Sequence, residues 1–249
     1  MPQKFSVITI AYNDADGLAE TLLSGAAQDT GFEQIVVDGG SDDGSVKVIE
    51  DMDSLIDHWV SEPDGGIYDA MNKGVRMATG DYVLFMNAGD SFFDERVIGK
   101  AAGVLEAGDA PGLFHGRVFA RGGDKPYAYN AHLWQGMVCS HQSTFARRDL
   151  LETYPFSTEF SIVADYHFYV QCERAGVSPV AVDIDVARID TSGVSFASFA
   201  ERTEQRMRIC RIHYPEQKVF DHFQDLFRKN GLDMPGWAQD MQAWINGPA

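Results

Sequence analysis

Cysteine is scarce in this chain, and its scarcity excludes two architectures. The 249 residues contain three: Cys139, Cys172 and Cys210. They are far apart, odd in number and never in a CxxC pair, which argues against a disulfide framework and against a structural zinc site. They read instead as small core residues in a reducing compartment. Basic residues are also few: 20 Lys and Arg stand against 37 Asp and Glu, a net charge of −17. A field of that sign repels nucleic acid, so no nucleic-acid partner is expected. It still admits a small anionic ligand, because a divalent cation and local donors reverse the sign inside one cleft. Long apolar runs are missing too. No stretch approaches the roughly 18 residues that cross a bilayer, and Met1-Pro2-Gln3-Lys4 does not open a secretory leader. The expected location is cytoplasmic, with peripheral contact at the inner face of the membrane as an alternative. The GxGxxG fingerprint is absent, which counts against a dehydrogenase.

What is present is an alternation of strand and helix patterns. Phe5 to Tyr12 (FSVITIAY) reads as a buried strand, followed by a helix capped by Asp14 or Asp16 and running to about Gln28. Gln34 to Asp38 reads as a second strand. Val48, Met52, Leu55 and Ile56 then recur at helical spacing. His58 to Val60, a helix over Tyr68 to Thr79 and a strand over Tyr82 to Asn87 complete the first half. Such alternation predicts an α/β fold, a mostly parallel sheet flanked by helices, with ligands beyond the carboxyl ends of the strands. The second half has Gly-rich stretches at 99–112 and 121–123 and strand patterns at Leu113 to Ala120, Ser143 to Ala146 and Val180 to Ile189. A helix is expected over Ala164 to Ala175, ending at Gly176. From Ser195 to Lys229 the pattern is helical with a break at Pro215, and a last helix is expected over Trp237 to Ile245. The expected division is a catalytic domain over 1–195, with halves 1–95 and 96–195, and a helical C-terminal extension over 196–249.

Four segments carry candidate chemistry. Asn87-Ala88-Gly89-Asp90 delivers a carboxylate into a turn at the ligand edge, where Asp90 either holds a hard divalent cation or fixes the turn. Asp38 opens a Gly- and Asp-rich turn whose aspartates would repel a pyrophosphate; it suits a base N–H better. Within Asp64 to Gly74, helical spacing puts Asp69, Asn72, Lys73 and Arg76 on a face opposite Met71 and Val75. That face suits a ribose and diphosphate, or is simply polar with an Asp69–Lys73 pair. Asp165, in Ala164-Asp165-Tyr166-His167-Phe168, is either a helix cap or a general base.

Together these segments resemble the inverting glycosyltransferases of family 2, with the GT-A fold, and most closely the bacterial branch that builds capsule and exopolysaccharide. The matching blocks are SVITIAYND, IVVDGGSDDGS, EPDGGIYDAMNKGVRMATGDYVLFMNAGD, His141-Gln142-Ser143-Thr144-Phe145, Ala164-Asp165-Tyr166 and Asp190 to Ser195. The resemblance implies a nucleoside held by Thr9, Ala11, Tyr12 and Asp38, with Tyr12 near the base. It puts Asp69, Asn72 and Lys73 toward the ribose and diphosphate. Asn87 and Asp90 take the place of the metal motif, with Asp90 binding Mg2+ or Mn2+. Asp165 would be the catalytic base, and His141 and Gln142 would lie near the sugar or acceptor. Two positions depart from the family pattern: Asp90 is the only carboxylate of its motif, and His167 stands where an acidic residue is usual.

The resemblance implies transfer of a sugar from a nucleotide-sugar donor, UDP-linked first and GDP- or dTDP-linked as alternatives, to a glycan or lipid-linked glycan. The rival readings are a sugar-nucleotide-forming nucleotidyltransferase, whose basic loop is replaced here by acidic Asn13 to Gly17, and a non-catalytic nucleotide-binding relative. Arg202, Arg206, Arg208 and Arg211 read as a solvated helix face or as a contact for a lipid-linked acceptor's phosphates. A homodimer through these helices is equally open.

Overall fold

The computed structural model describes residues 5–108, 110–190, 199–214, 216–240, 242 and 244. The expected break at Pro215, block residues 191–195 and residues 241, 243 and 245 of the last helix lie outside the described residues.

Eight strands form one sheet in the order β3-β2-β1-β4-β7-β6-β8-β5. β1 (Phe5–Ala11), β2 (Glu33–Asp38), β3 (His58–Ser61) and β4 (Tyr82–Phe85) pair in parallel. The helices α1 (Ala15–Ala26), α2 (Ser45–Asp51) and α3 (Ile67–Met77) connect them. Direction reverses beyond β4, which pairs antiparallel with β7 (Thr144–Arg147). β6 (Leu113–Ala120) is antiparallel to β7 and parallel to β8 (Val180–Ile189), and β5 (Ser91–Phe92) closes the far edge against β8. α4 (Val97–Glu106), α5 (Arg148–Thr153), α6 (Ala164–Arg174), α7 (Phe199–His213) and α8 (Gln217–Lys229) complete the described elements.

β1 is buried on both faces, as a run that is apolar but for Ser6 and Thr9 requires. Its Ile8 and Ile10 join the core under α3, whereas Phe5 and Val7 join the core under α4. α3 lies close on β1 because Gly74 faces Ile8: a Cβ there would come within 2.4 Å of Ile8 Cγ2. The same core that holds Ile8 and Met71 continues through Phe168 on α6 to Met207 and Phe223 on α7 and α8. Cys139, Cys172 and Cys210 are free and fully buried, and burial pushes each thiol up to about 12.

Several boundaries differ from the sequence patterns. The helix expected through Ile56 ends at Asp51; Asp53–Leu55 is a 3-10 turn and Ile56 is extended and buried. A tighter turn of three residues still brings apolar side chains to one side, so periodicity alone cannot separate the two. The Gly-rich stretch at 99–112 contains α4, whose Gly99 packs against Asp29 and Thr30. The final segment forms a 3-10 turn at Gly236–Ala238, with residues 242 and 244 helical. Among the described residues no helix is long and apolar enough to cross a membrane.

The basic stretch on α7 does not make one face. Arg208 pairs with Glu204 at 3.1 Å, the Arg211 guanidinium lies 6.0 Å from the Trp237 ring, and Arg206 turns inward beside Tyr166. Those three arginines therefore do not form a shared membrane-facing surface.

Candidate active site

The site lies beyond the carboxyl ends of β1, β2 and β4, where the strand direction is about to reverse. Two turns are laced together there. Asn13, a non-glycine residue at φ 52, takes a hydrogen bond from Asp42 N on its Oδ1 (2.9 Å), while its own N–H donates to Ser41 Oγ (2.8 Å). Asp14 caps α1 through Gly17 N at 3.0 Å, one of the two expected caps. Between these turns the Tyr12 ring stands 68% exposed. It lies against Gly39, where a Cβ would come 3.2 Å from Tyr12 Cδ2 and 2.8 Å from Asp64 Oδ2. An open aromatic face, a bare backbone and a carboxylate oxygen thus meet at one point.

Asp38 does not supply that carboxylate. It is fully buried, and its Oδ2 accepts from Gly40 N (3.1 Å), Ser41 N (3.0 Å) and Ser61 Oγ (2.6 Å), while Ser41 Oγ donates to Oδ1. These bonds build the turn and join β2 to β3, and they fall mainly on Oδ2; Oδ1 has one described donor. Asp64, whose Oδ1 takes Gly66 N at 2.8 Å, presents its Oδ2 beside Tyr12 instead. Its place before Gly65-Gly66 was the available signal. Thr9 and Ala11 are 1% and 6% exposed on β1 and back the site without opening on it.

The polar face of α3 is largely internal wiring. Asn72 donates one amide N–H to Phe156 O (2.8 Å) and accepts from Phe156 N (3.0 Å), which ties α3 to the chain at Phe156. Lys73 Nζ meets Glu62 Oε1 and Pro63 O, each at 3.0 Å, and Asp69 Oδ2 accepts from Gly65 N at 2.9 Å. Both hold the 62–66 loop against the helix. Asn72→Ala leaves a backbone N–H and C=O of Phe156 without partners, so we expect a loss of roughly 1–3 kcal/mol. Chemical denaturation should report it, with donor KM unchanged.

Asp90 and Asp165 are brought together by a turn between β6 and β7. The chain beyond β4 continues alongside β1 through Ala88 N to Ile10 O (2.9 Å), then turns at Gly89, φ +88. Thr21 on α1 holds this turn by donating to Asp90 O at 2.6 Å. Asp90 is 3% exposed; its Oδ1 accepts from Asp190 N (3.0 Å) and its Oδ2 from Gln142 Nε2 (3.2 Å). Burial outweighs these donors and pushes its carboxyl up to about 6. At the start of α6, Asp165 Oδ1 accepts from Tyr166 N (2.8 Å) and lies 3.2 Å from Tyr68 OH, whose one proton is shared with the nearer Ile162 O (2.8 Å), and Oδ2 meets His141 Nδ1 at 2.9 Å. Burial and the neighbouring Asp165 hold the Tyr68 hydroxyl well above its ordinary range, so it stays a donor. The other ring nitrogen, His141 Nε2, faces Asn87 Nδ2 at 3.2 Å. Assigned from this network, His141 carries its proton on Nδ1 and donates it to Asp165.

One 3-10 turn, His141–Ser143, therefore holds both carboxylates: His141 holds Asp165 and Gln142 holds Asp90. Asn87, Asp90, His141, Gln142 and Asp165, all candidates from sequence, form one connected group. Tyr68 and Asp190 complete it and were not singled out, because their roles depend on contacts 97 and 100 residues away.

Among the described residues no three His, Cys, Asp or Glu side chains converge as a metal cage. Mg2+ and similar hard ions are often held by one or two carboxylates together with substrate phosphates. Asp90 fits that smaller requirement. In the same turn, Asn87 Oδ1 is a buried oxygen with no partner.

Residues 6–165 match the model of glycosyl transferase family 2. The chain is 34% identical over 200 residues to an uncharacterized glycosyltransferase of Mycobacterium tuberculosis (strain CDC 1551 / Oshkosh), covering 76% of each chain. Its fold is similar to that of S. aureus TarS 1-349 in complex with UDP-GlcNAc, at TM-score 0.72 and 19% identity over 98% of this chain and 79% of that one. It is also similar to a mannosyltransferase from Pyrobaculum calidifontis in complex with GDP-Man and Mn2+, at TM-score 0.61 and 18% identity, covering 98% and 70%. The sheet flanked by helices is thus the GT-A fold, and the chain belongs to glycosyl transferase family 2.

Proposed function

We propose that this chain transfers a sugar with inversion from a nucleotide-sugar donor, UDP-linked first and GDP- or dTDP-linked as alternatives, to a hydroxyl of a glycan or lipid-linked glycan. The observation that carries this reading is the shared turn: His141 holds Asp165 and Gln142 holds Asp90, the two carboxylates the reading needs side by side. The two solved relatives named above bind nucleotide sugars, one of them with Mn2+.

In this reading Tyr12 stacks on the base and Asp64 Oδ2 accepts from it. Asp165 takes the proton of the acceptor hydroxyl as that oxygen attacks the anomeric carbon. The nucleoside diphosphate departs from the opposite face, so configuration inverts. In this reading Oδ2, with His141 Nδ1 beside it at 2.9 Å, is the oxygen that receives the proton. His141, fixed in its tautomer by Asn87, keeps that oxygen aimed. Asp90 would hold Mg2+ or Mn2+, which supplies Lewis-acid charge against the leaving diphosphate.

A thermal-shift screen of UDP-, GDP- and dTDP-linked sugars with and without Mn2+ tests the donor. We expect one nucleotide class to raise Tm by roughly 3–6 °C at about ten times its Kd, and only with Mn2+. Tyr12→Ala should weaken that donor about tenfold, as loss of a stacked base does. A screen in which no nucleotide sugar stabilises the chain would sink the proposal.

A further inference from the structure

Arg206 is a cation that the donor site does not use. α7 buries Thr203, Met207 and Cys210, and Arg206 falls on that same face, three residues after the first and four before the last. Its side chain runs toward the loop 130–137 and toward α6. It makes no hydrogen bond or ion pair with any described residue, and its Nε is wholly buried. Burial lowers its pKa, and Arg202 adds like charge.

The groups around it offer no carboxylate among the described residues. Tyr166 OH lies beside Cys210 Sγ at 2.9 Å, and both groups stay protonated in their buried setting. His222 is near enough for Arg206 to oppose its protonation, and its Nε2 donates to Gln135 O at 3.1 Å. Arg206 is half-buried: its Nε is sealed from solvent, and its partly desolvated guanidinium, with no carboxylate beside it, favours an anion.

The loop leaves a place for one. Gly136 has φ +147, and a Cβ there would lie 2.6 Å from both Arg206 Nη1 and Asn130 Nδ2. Two nitrogen donors thus converge on a notch that glycine alone keeps open. Asn130 spends one N–H on Met137 O at 3.2 Å and retains its second. A guanidinium fork beside an amide N–H matches the oxygens of a phosphate.

We propose that Arg206 and Asn130, converging at Gly136, form a binding site for a phosphate group, either carried by the acceptor or free in solution. The loop bearing Gly136 runs on to His141, and Tyr166 follows Asp165, which puts the notch in the acceptor half of the molecule. Phosphate binding here does not require Asp165 to be the base or Asp90 to hold a cation, so it stands or fails separately from the catalytic reading.

The test is thermal unfolding of the full chain in inorganic phosphate against chloride at equal ionic strength, without metal. We expect phosphate at about ten times its Kd to raise Tm by roughly 3–6 °C, and Arg206→Gln to lose the rise. Arg206→Met keeps the length of the apolar stem without the charge, and should also lose the response to phosphate. Octyl phosphate and octyl glucoside separate the sources. Tighter binding of octyl phosphate than of inorganic phosphate marks an acceptor-borne group, and the reverse marks the free ion. The proposal is overturned if phosphate leaves the wild-type Tm unmoved, or if Arg206→Gln responds as the wild type does.

Discussion

Asp165→Asn is expected to abolish sugar transfer while leaving the fold and the donor complex in place. Removing a general base costs about 10²–10⁴ in rate, and nothing else at the cleft replaces the proton-accepting Oδ2 in the proposed mechanism. The network can absorb the change. An asparagine Oδ1 still accepts from Tyr166 N and Tyr68 OH, and its amide faces His141 Nδ1. His141 then carries its proton on Nε2, and Asn87 meets it by turning its amide so that Oδ1, now without a partner, accepts. Stability should therefore change by less than about 1 kcal/mol. Transfer measured by product chromatography, beside donor affinity by calorimetry, decides the matter. A variant that keeps a large share of wild-type transfer removes Asp165 from the base role.

Asp90→Asn should separate activity from stability in opposite directions. The carboxyl sits at about 6 in the fold against an ordinary 3.8. The native state thus keeps a proton that the unfolded chain has already released. Stability of the ligand-free protein should fall as pH rises from about 4 to about 6 and stay lower above that, by about 2–3 kcal/mol. Asparagine is neutral throughout and removes this dependence. It gives back part of the gain, because its amide faces one of the two donors, Asp190 N or Gln142 Nε2. We expect the variant to melt roughly 2–6 °C higher than wild type near pH 8 in chelator. We expect it also to lose about 10²-fold or more of its Mn2+-dependent transfer. In the wild type, affinity for Mn2+ should decline below about pH 6, where the cation must displace a proton from Asp90. Melting curves from about pH 4 to pH 8 with and without Mn2+ test both halves. Equal pH slopes in the two proteins would show that Asp90 is not the group responsible.

The residues legible in the sequence are those whose chemistry follows from a strand end or a local turn. β1 and β2 announce themselves by β-branched, mainly apolar centres, Val7 to Ile10 and Ile35 to Val37, and Tyr12, Asn87 and Asp90 follow from where such strands stop. Asp14 capped α1 as read. Asp38 and Asn72 show what the sequence leaves open. A carboxylate or amide at the right edge has the same appearance in sequence whether its hydrogen bonds go to a ligand or to the backbone. In Asp38 they go to Gly40, Ser41 and Ser61, and in Asn72 to Phe156. Asp64 was passed over because its neighbours Gly65 and Gly66 read as the feature of that turn.

The sequence by itself determined the class of fold, the family and the edge of the sheet where the chemistry lies, because hydrophobic period and strand-end residues are local properties. Only the tertiary structure decided which polar side chains remain open. Hydrogen-bond capacity is finite, and its use is settled by partners far away in the chain. His141 reaches Asp165, Gln142 reaches Asp90, and Asp190 closes on Asp90 from 100 residues away. The inward turn of Arg206 toward Gly136 is of the same kind: a charge that reads as part of a surface stripe along the helix becomes half-buried against the loop that packs beside it.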